Sequence, residues 1–342
     1  MPGAAKSRPV LVAPDKFKGT FSAAEVAGAI ARGLAAAGID ADECRIADGG
    51  EGTIDAVASG NGVVIETATV GSSLGQPAEA RIALLDDGRA ALVEVADAIG
   101  LQLVAEDQRD AVAASSRGAG ELIAAAAAYD VRDIYVGVGG TATTDGGAGA
   151  IDALKEAKLI GARGKRRKGC PRITALCDVR AAWEQAPPVF APQKGASPSE
   201  VELLSLRLDE FAQALPADPR GKLLTGAGGG LSGGLWAAAG AELKGGAAFV
   251  LDRLGFTARM TAARAVITGE GSLDRQTLLG KAVGEVGTRA RQAGVPCHVI
   301  TGRMQMSEFD ARILDFESWQ EAGDLDAIAA AAQRLEAVLA PG

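Results

Sequence analysis

The feature that most constrains the fold is a strand–loop–helix succession that recurs near both ends of the chain. Pro9-Val10-Leu11-Val12-Ala13-Pro14 is an apolar run of strand length, and Asp15-Lys16-Phe17-Lys18-Gly19-Thr20 is a polar loop. Ser22-Ala23-Ala24-Glu25 then opens a helix with a capping box, and Gly38 supplies a left-handed stop after Ala37. The order repeats as Glu43–Ala47, the loop Asp48-Gly49-Gly50-Glu51-Gly52-Thr53, and a helix from Ile54. Far along the chain it returns as Arg264–Thr268, the loop Gly269-Glu270-Gly271-Ser272-Leu273-Asp274 and a helix over Lys281–Ala293, followed by the strand Cys297–Thr301. Successive units of this kind build a parallel sheet whose carboxyl edge gathers the loops. Residues 1–63 plus 255–342 are therefore expected to form one discontinuous parallel α/β domain.

The middle of the chain has another pattern. Val63–Thr69, Glu79–Leu85 and Arg89–Val95 alternate or run apolar at strand length, and Asp87-Gly88 between the last two predicts a hairpin. A helix over Gly118–Tyr129 follows, then the strand Asp133–Val136, then the Gly-dense loop Gly137–Gly149 and a helix start at Ala150. Ser197-Pro198-Ser199-Glu200 is a second capping box, with Pro at the first helical position. Its helix shows Val201, Leu204, Leu208 and Phe211 on one face and stops at Pro216. Leu224–Gly234 is a second Gly-rich loop, and Trp236–Ala241 reads as helix. Residues 64–254 are expected to be a mixed α/β domain inserted into the parallel one.

Bulk properties remove several function classes. A net charge of −8 disfavours a duplex nucleic-acid binder, and the basic run Arg163–Lys168 reads as a solvated loop. No apolar run approaches the ~20 residues of a membrane span, and Asp15, Lys16 and Lys18 end the first one too early for a secretion signal. Cys44, Cys170, Cys177 and Cys297 are scattered without a C-x-x-C pair, so a cytoplasmic protein without disulfides or zinc is expected. The single histidine, His298, sits in an apolar strand and reads as a core residue. Acid–base chemistry is then left to carboxylates, lysines or a metal-bound water.

The strand-end loops carry Asp15, Lys16, Lys18, Asp48, Glu51, Asp145, Glu270 and Asp274, most of them beside Gly or Thr. Carboxylates hold Mg²⁺, bare backbone amides hold phosphate oxygens, and lysines neutralise developing charge, so this set suits a metal–phosphate site. Loop Gly137–Gly149 reads equally as an anion cradle or as a tight turn that needs glycine only for positive φ. Gly228–Gly233 and Gly137–Ala142 match dinucleotide-binding patterns, but the first lacks a preceding strand and the second lacks the acidic residue ~20 positions on. A nucleotide-dependent dehydrogenase rests on those matches alone. Leu279-Gly280-Lys281-Ala282 has neither the leading Gly nor the Ser/Thr of a P-loop.

Taken together, several segments resemble the signatures of the bacterial glycerate kinase (glycerate 2-kinase) family: Ala13–Thr20, Ala47–Thr53, Ser115–Leu122, Gly139–Gly147, Cys177-Asp178-Val179, Ala191–Ala196, and Thr268–Asp274 with Gly280-Lys281. They occur in the family's order over most of the chain. The resemblance implies ATP-dependent phosphorylation of D-glycerate, with 2-phosphoglycerate as product. It also implies a flavodoxin-like parallel domain carrying an inserted α/β domain, with the active site in the cleft between them. After Asp178-Val179 the chain departs from the family's Asn-Pro-Leu run with Arg180-Ala181-Ala182-Trp183-Glu184-Gln185.

On this reading Lys18 and Lys194 are the cations for glycerate's carboxylate, and Asp48 or Asp178 accepts the proton of the attacking hydroxyl. Asp15, Lys16, Glu51, Ser115 and Gln193 are expected to contact substrate. ATP phosphates are expected on Gly139, Gly140, Thr141, Thr143, Gly146 and Gly147, with Mg²⁺ near Asp145, Glu270 and Asp274. The partner is a small molecule, D-glycerate, and the protein is expected as a monomer or homodimer without nucleic-acid or membrane partners. The alternative is a non-catalytic glycerate or nucleotide sensor on the same scaffold.

Overall fold

The structure is a computed structural model that describes residues 8–17, 19–59, 62–177, 179–274, 277 and 281–339. Lys18 and Asp178, both expected in catalysis, and Gly280 lie outside the described residues. The described strands, in chain order, are β1 (Val10–Pro14), β2 (Ala41–Glu43), β3 (Val64–Gly71), β4 (Pro77–Leu85), β5 (Ala90–Glu94), β6 (Asp133–Gly137), β7 (Arg172–Cys177), β8 (Glu242–Gly245), β9 (Ala265–Gly269), β10 (Ser272–Leu273), β11 (Cys297–Thr301), β12 (Arg303–Met304) and β13 (Ser318–Glu321). They form an α/β fold of two compact units, Met1–Asp48 with Ala247–Gly342, and Gly49–Gly246.

The first unit is built on a five-stranded sheet in the order β13-β11-β9-β1-β2. Every pairing in it is parallel. β1, β9 and β11 are buried along their whole length, as a sheet covered on both faces requires. Alternate residues divide between two cores. Val10 and Val12 face the helices Ala23–Ala36 and Leu325–Arg334, while Leu11 and Ala13 face the helix Ala282–Ala293 and the segment 247–260. Helix Ala23–Ala36 forms as expected, capped reciprocally by Ser22 and Glu25. Gly33 lets it press on Leu325–Arg334: a Cβ there would stand 2.0 Å from the Ala329 carbonyl oxygen.

The strand order carries a consequence for the site. From β1 the chain moves to β2 on one side, while β9, β11 and β13 extend on the other. Loops leaving the carboxyl ends of β1 and β9 therefore diverge, and a crevice opens between them. Asp15 follows β1 and Glu270 follows β9. The strand expected over Glu43–Ala47 is assigned earlier, at Ala41–Glu43, yet pairing continues past it. The Cys44 and Ile46 amides donate to Val12 and Pro14 carbonyls at 2.8 and 3.1 Å.

The second unit holds a six-stranded sheet in the order β3-β4-β5-β6-β7-β8. β3, β4 and β5 pair antiparallel, and β5 through β8 run parallel. The Asp87-Gly88 signal is realised as a turn between β4 and β5, with Asp86, Asp87 and Gly88 all left-handed (φ 55°, 57° and 78°). Helices Arg117–Ala127 and Ala148–Glu156 bury Leu122, Ile123, Ile151 and Leu154 with Ile134 and Val136 of β6. The Ser197 capping box opens the helix Pro198–Ala214. The bounds of this unit fall before both expected ones, 64 and 254. The backbone at Gly52 and Ile54 is bonded to Glu94 of β5, which ties this stretch to the second sheet.

Among the described residues no helix is long and apolar enough to cross a membrane. All four cysteines are free thiols. His298 is buried on β11, its Nδ1 2.8 Å from Ser318 Oγ, and burial lowers its pKa.

Candidate active site

In the first unit, charged side chains gather where β1 and β9 end. Asp15 and Glu270 are buried, and Asp48, Asp274 and Lys281 are half-buried. The Lys16 amide donates to Asp15 Oδ1 at 2.7 Å. Even so, burial, aided by the nearby Asp48 and Glu270, holds the Asp15 carboxyl well above the usual aspartate range. Glu270 Oε1 accepts the Thr277 hydroxyl at 2.6 Å, and its Oε2 lies 3.4 Å from Lys281 Nζ. Burial outweighs the nearby ammonium and raises the Glu270 pKa. Lys281 also lies 3.8 Å from Asp274. Burial alone would lower its pKa, but Glu270, Asp274 and Asp48 raise it above the ordinary lysine value. Carboxyls pushed upward by burial hold a proton more readily than ordinary carboxyls do, a property that proton-transfer sites use.

The Gly-dense loop of the second unit follows β6 and is mostly buried. Several of its amides have partners inside the unit. Ala142 donates to the Ile99 carbonyl at 2.8 Å and Gly146 to Gly229 at 3.1 Å. Asp145 organises the turn. Its Oδ2 accepts the Ser116 amide (2.9 Å), the Ser116 hydroxyl (2.8 Å) and the Gly149 amide (3.2 Å), while Oδ1 accepts the Gly147 amide (3.0 Å). Ser116 in turn accepts the Ala150 amide at 3.0 Å, joining the starts of two helices.

The glycines here serve backbone packing. A Cβ on Gly146 would lie 2.6 Å from the Trp183 ring, and one on Gly229 would lie 1.9 Å from the Thr143 carbonyl oxygen. Trp183 belongs to the stretch 180–185 that follows β7. It is buried, stacks on Phe211 at 6.3 Å, and donates to the Leu208 carbonyl at 3.1 Å.

Lys194 approaches the same loop from beneath. Although a lysine, it is only 3% exposed, and its Nζ reaches the Thr143 carbonyl at 2.5 Å and the Thr141 hydroxyl at 3.4 Å. Beside it a recess is lined by Ser73, Val104, Arg109, Asp110, Ala142 and Lys194. Arg109 Nη1 donates to the Gln193 carbonyl at 3.3 Å, while its buried Nε has no partner among the described residues. The Thr143 and Thr144 hydroxyls are likewise buried without partners.

Comparison with known proteins decides the family. The profile of the Glycerate kinase family matches residues 10–172 and 162–339. The chain belongs to the glycerate kinase family. It is 36% identical over 323 residues to a glycerate kinase of Bacillus subtilis (strain 168), covering 86% of this chain and 84% of that one. It is 35% identical over 326 residues to the glycerate 2-kinase of Escherichia coli (strain K12), covering 86% and 85%. A crystal structure from Salmonella typhimurium LT2, provisionally assigned as glycerate kinase 2, superposes with a TM-score of 0.79 at 31% identity over 97% and 98% of the two chains. As a member of this family the chain is an enzyme, a phosphotransferase of the kinase type.

The expected site residues separate into groups. Asp15, Lys16, Asp48, Glu270 and Asp274 come together in the first unit, joined by Lys281. Thr141, Thr143 and Lys194 come together in the second. Gly139 is buried, and Gly140 is exposed at the loop's edge. Gly146 and Gly147, expected to bind phosphate, instead face Trp183 and Leu231, and their amides are bonded to Gly229 and Asp145. Asp145, expected to hold metal, has four hydrogen bonds to its own loop and Ser116. Ser115 accepts the Arg117 amide at 3.2 Å; its neighbour Ser116 is the serine that braces Asp145. Glu51 and Gln193 are exposed. Arg109 and Glu94 were not singled out from sequence, and Ser116 was named only as part of Ser115–Leu122. Arg109 sits in an ordinary polar stretch, but Glu94 is a lone acid inside the apolar run Arg89–Val95, and that was a usable signal.

Proposed function

We propose that the protein transfers the γ-phosphoryl group of ATP to D-glycerate, giving 2-phosphoglycerate. The observation that carries this is the buried carboxylate–lysine cluster at the ends of β1 and β9, combined with family membership. Strand order supports reading the first unit as flavodoxin-like: numbered within the unit, its sheet runs 2-1-3-4-5, and ligands in such sheets bind where the order reverses.

Of the two carboxylates expected to receive the hydroxyl proton of the acceptor, Asp48 is described, and Asp15 beside it joins it as a candidate. A general base works best with a pKa near the operating pH, and the raised Asp15 carboxyl meets that condition better than an ordinary aspartate. Lys281 holds the charge of Glu270 and Asp274 in place and supplies a cation toward developing negative charge. Lys194, Lys16 and Glu51 remain candidate substrate contacts, Lys194 as the cation for the substrate's anionic group. The Gly139–Thr143 half of the loop is the candidate phosphate contact, and Gly146, Gly147 and Asp145 are its foundation.

Among the described residues no group of three His, Cys, Asp or Glu side chains is placed to hold a metal. That donor set still fits Mg²⁺, which is usually held by one or two carboxylates together with substrate phosphates. Glu270 and Asp274 would hold it, and when bound it would neutralise charge on the transferring phosphoryl group. ADP release measured with D-glycerate, ATP and Mg²⁺ tests the reading. Turnover supports it, and ligand binding without turnover favours a sensor.

A further inference from the structure

The short helix Thr53–Ala58 starts without a side chain of its own to cap it, since its N-cap is Gly52 at φ 94°. Its first amides are met by a residue some forty positions away. Glu94 Oε2 accepts the Gly52 N–H at 3.0 Å, and Oε1 accepts the Ile54 N–H at 2.5 Å. Glu94 ends β5 and is fully buried. Burying a carboxylate is costly unless it is paired and hydrogen-bonded, and an apolar residue would complete this buried strand without that cost. The acid must be understood by what it holds.

It holds a loop pressed onto the carboxyl end of the sheet. A Cβ on Gly137, the last residue of β6, would lie 2.7 Å from the Gly49 carbonyl oxygen. One on Gly49 would lie 2.5 Å from Gly246 Cα and 3.3 Å from Leu176 Cβ of β7. The Thr53 hydroxyl closes the turn on the Gly50 carbonyl at 2.7 Å. The loop presents Glu51 to solvent.

We propose that Glu94 is a positioning residue of the kinase reaction: by accepting the Gly52 and Ile54 amides it sets the Gly49–Thr53 loop, and Glu51 with it, for the hydroxy-acid acceptor. This rests on the functional reading above. Arg81 is the cation that faces Glu94, its Nη2 3.8 Å away. Arg81 is itself held by Asp97 (2.8 Å) and Asp55 (2.8 Å). Burial pushes the Glu94 carboxyl up to about 7; Asp97 adds to this, while the two amides and Arg81 oppose it. Protonation would turn one of two acceptors into a donor facing an N–H. The loop should therefore loosen as pH falls through that value.

Glu94→Gln offers one acceptor to two donors, whereas Glu94→Asp keeps the charge on a shorter arm. At pH 8 we expect Glu94→Gln to lower kcat/KM for D-glycerate by about 10- to 100-fold through misplacement of the loop. KM for ATP should stay close to wild type, the loss toward D-glycerate should exceed what any fall in melting temperature explains, and Glu94→Asp should lose less. In the wild type, the Gly52 and Ile54 amide resonances should shift together as pH falls through about 7. Wild-type kinetics in Glu94→Gln would overturn the proposal, as would equal losses toward both substrates that track the folded fraction. If Glu94→Gln fails to fold, the wild-type titration decides: amides unmoved between about pH 6 and 8 overturn it. A wild type inactive on D-glycerate would strike the functional reading alone, and the amide titration would still decide whether Glu94 holds the loop.

Discussion

Asp145 gives the sharpest contrast between the two roles that its loop could play. Asp145→Ala removes the acceptor for the Ser116 amide and hydroxyl and for the Gly147 and Gly149 amides. Ser116 and Gly147 are buried, so water cannot replace the lost partner there. A hydrogen bond to a charged acceptor contributes ~1.5–3 kcal/mol, and an orphaned buried donor costs ~1–3 kcal/mol. The four bonds share one carboxylate and are not additive, and Asp145 is only half-buried, so the net loss is set at about 3 kcal/mol. For a unit of this size that corresponds to a fall of roughly 6–12 °C in melting temperature. Asp145→Asn should fall between, because its oxygen can serve Ser116 while its NH₂ opposes the Gly147 amide. Differential scanning calorimetry of the three proteins, with Mg²⁺ titrations of activity in parallel, makes the comparison. A metal ligand would leave the melting temperature in place and raise the Mg²⁺ requirement. A melting temperature for Asp145→Ala within about 2 °C of wild type refutes the brace.

Other outcomes follow from the same geometry. Lys281→Met removes the cation beside Glu270 and Asp274, so the acidic limb of the kcat/KM profile should move to higher pH by about one unit, with lower activity throughout; an unmoved limb contradicts the coupling. The Asp15 carboxyl is raised in the folded state, so stability is lost as pH climbs from the ordinary aspartate range through that raised value. Asp15→Asn should therefore gain melting temperature over wild type at pH 8 more than at pH 4, and an equal difference at both would refute this. Gly229→Ala combines φ 68° with a Cβ 1.9 Å from a carbonyl oxygen and should cost about 3 kcal/mol or more, seen as loss of soluble protein or of cooperative unfolding.

Much of the scaffold was legible because its signals are local. Both capping boxes form, the strand over Cys297–Thr301 is found at those bounds, and Asp87-Gly88 makes its turn. A reciprocal Ser–Glu cap or a left-handed Asp-Gly turn needs nothing from the rest of the chain. What was not legible depends on contacts distant in sequence. A glycine run looks the same whether its bare backbone faces a phosphate or another backbone; Gly146 and Gly229 serve the second use, against Trp183 and Thr143. Asp145 in a Gly-rich loop gives no sign in the sequence of its bonds to Ser116, twenty-nine positions away. Glu94 draws the stretch around Gly52 to the second sheet, which no composition shift at residue 49 announces. Asp15, Asp48 and Glu270, by contrast, were readable as a set, since loops after parallel strands share one edge.

The most direct test of the central claim is the ³¹P NMR spectrum of the product made from D-glycerate, ATP and Mg²⁺. The account predicts a phosphomonoester on the 2-hydroxyl, formed in step with ADP. A product phosphorylated on the 3-hydroxyl would contradict the assigned acceptor atom, and the absence of any new phosphomonoester under saturating substrates would contradict the account as a whole.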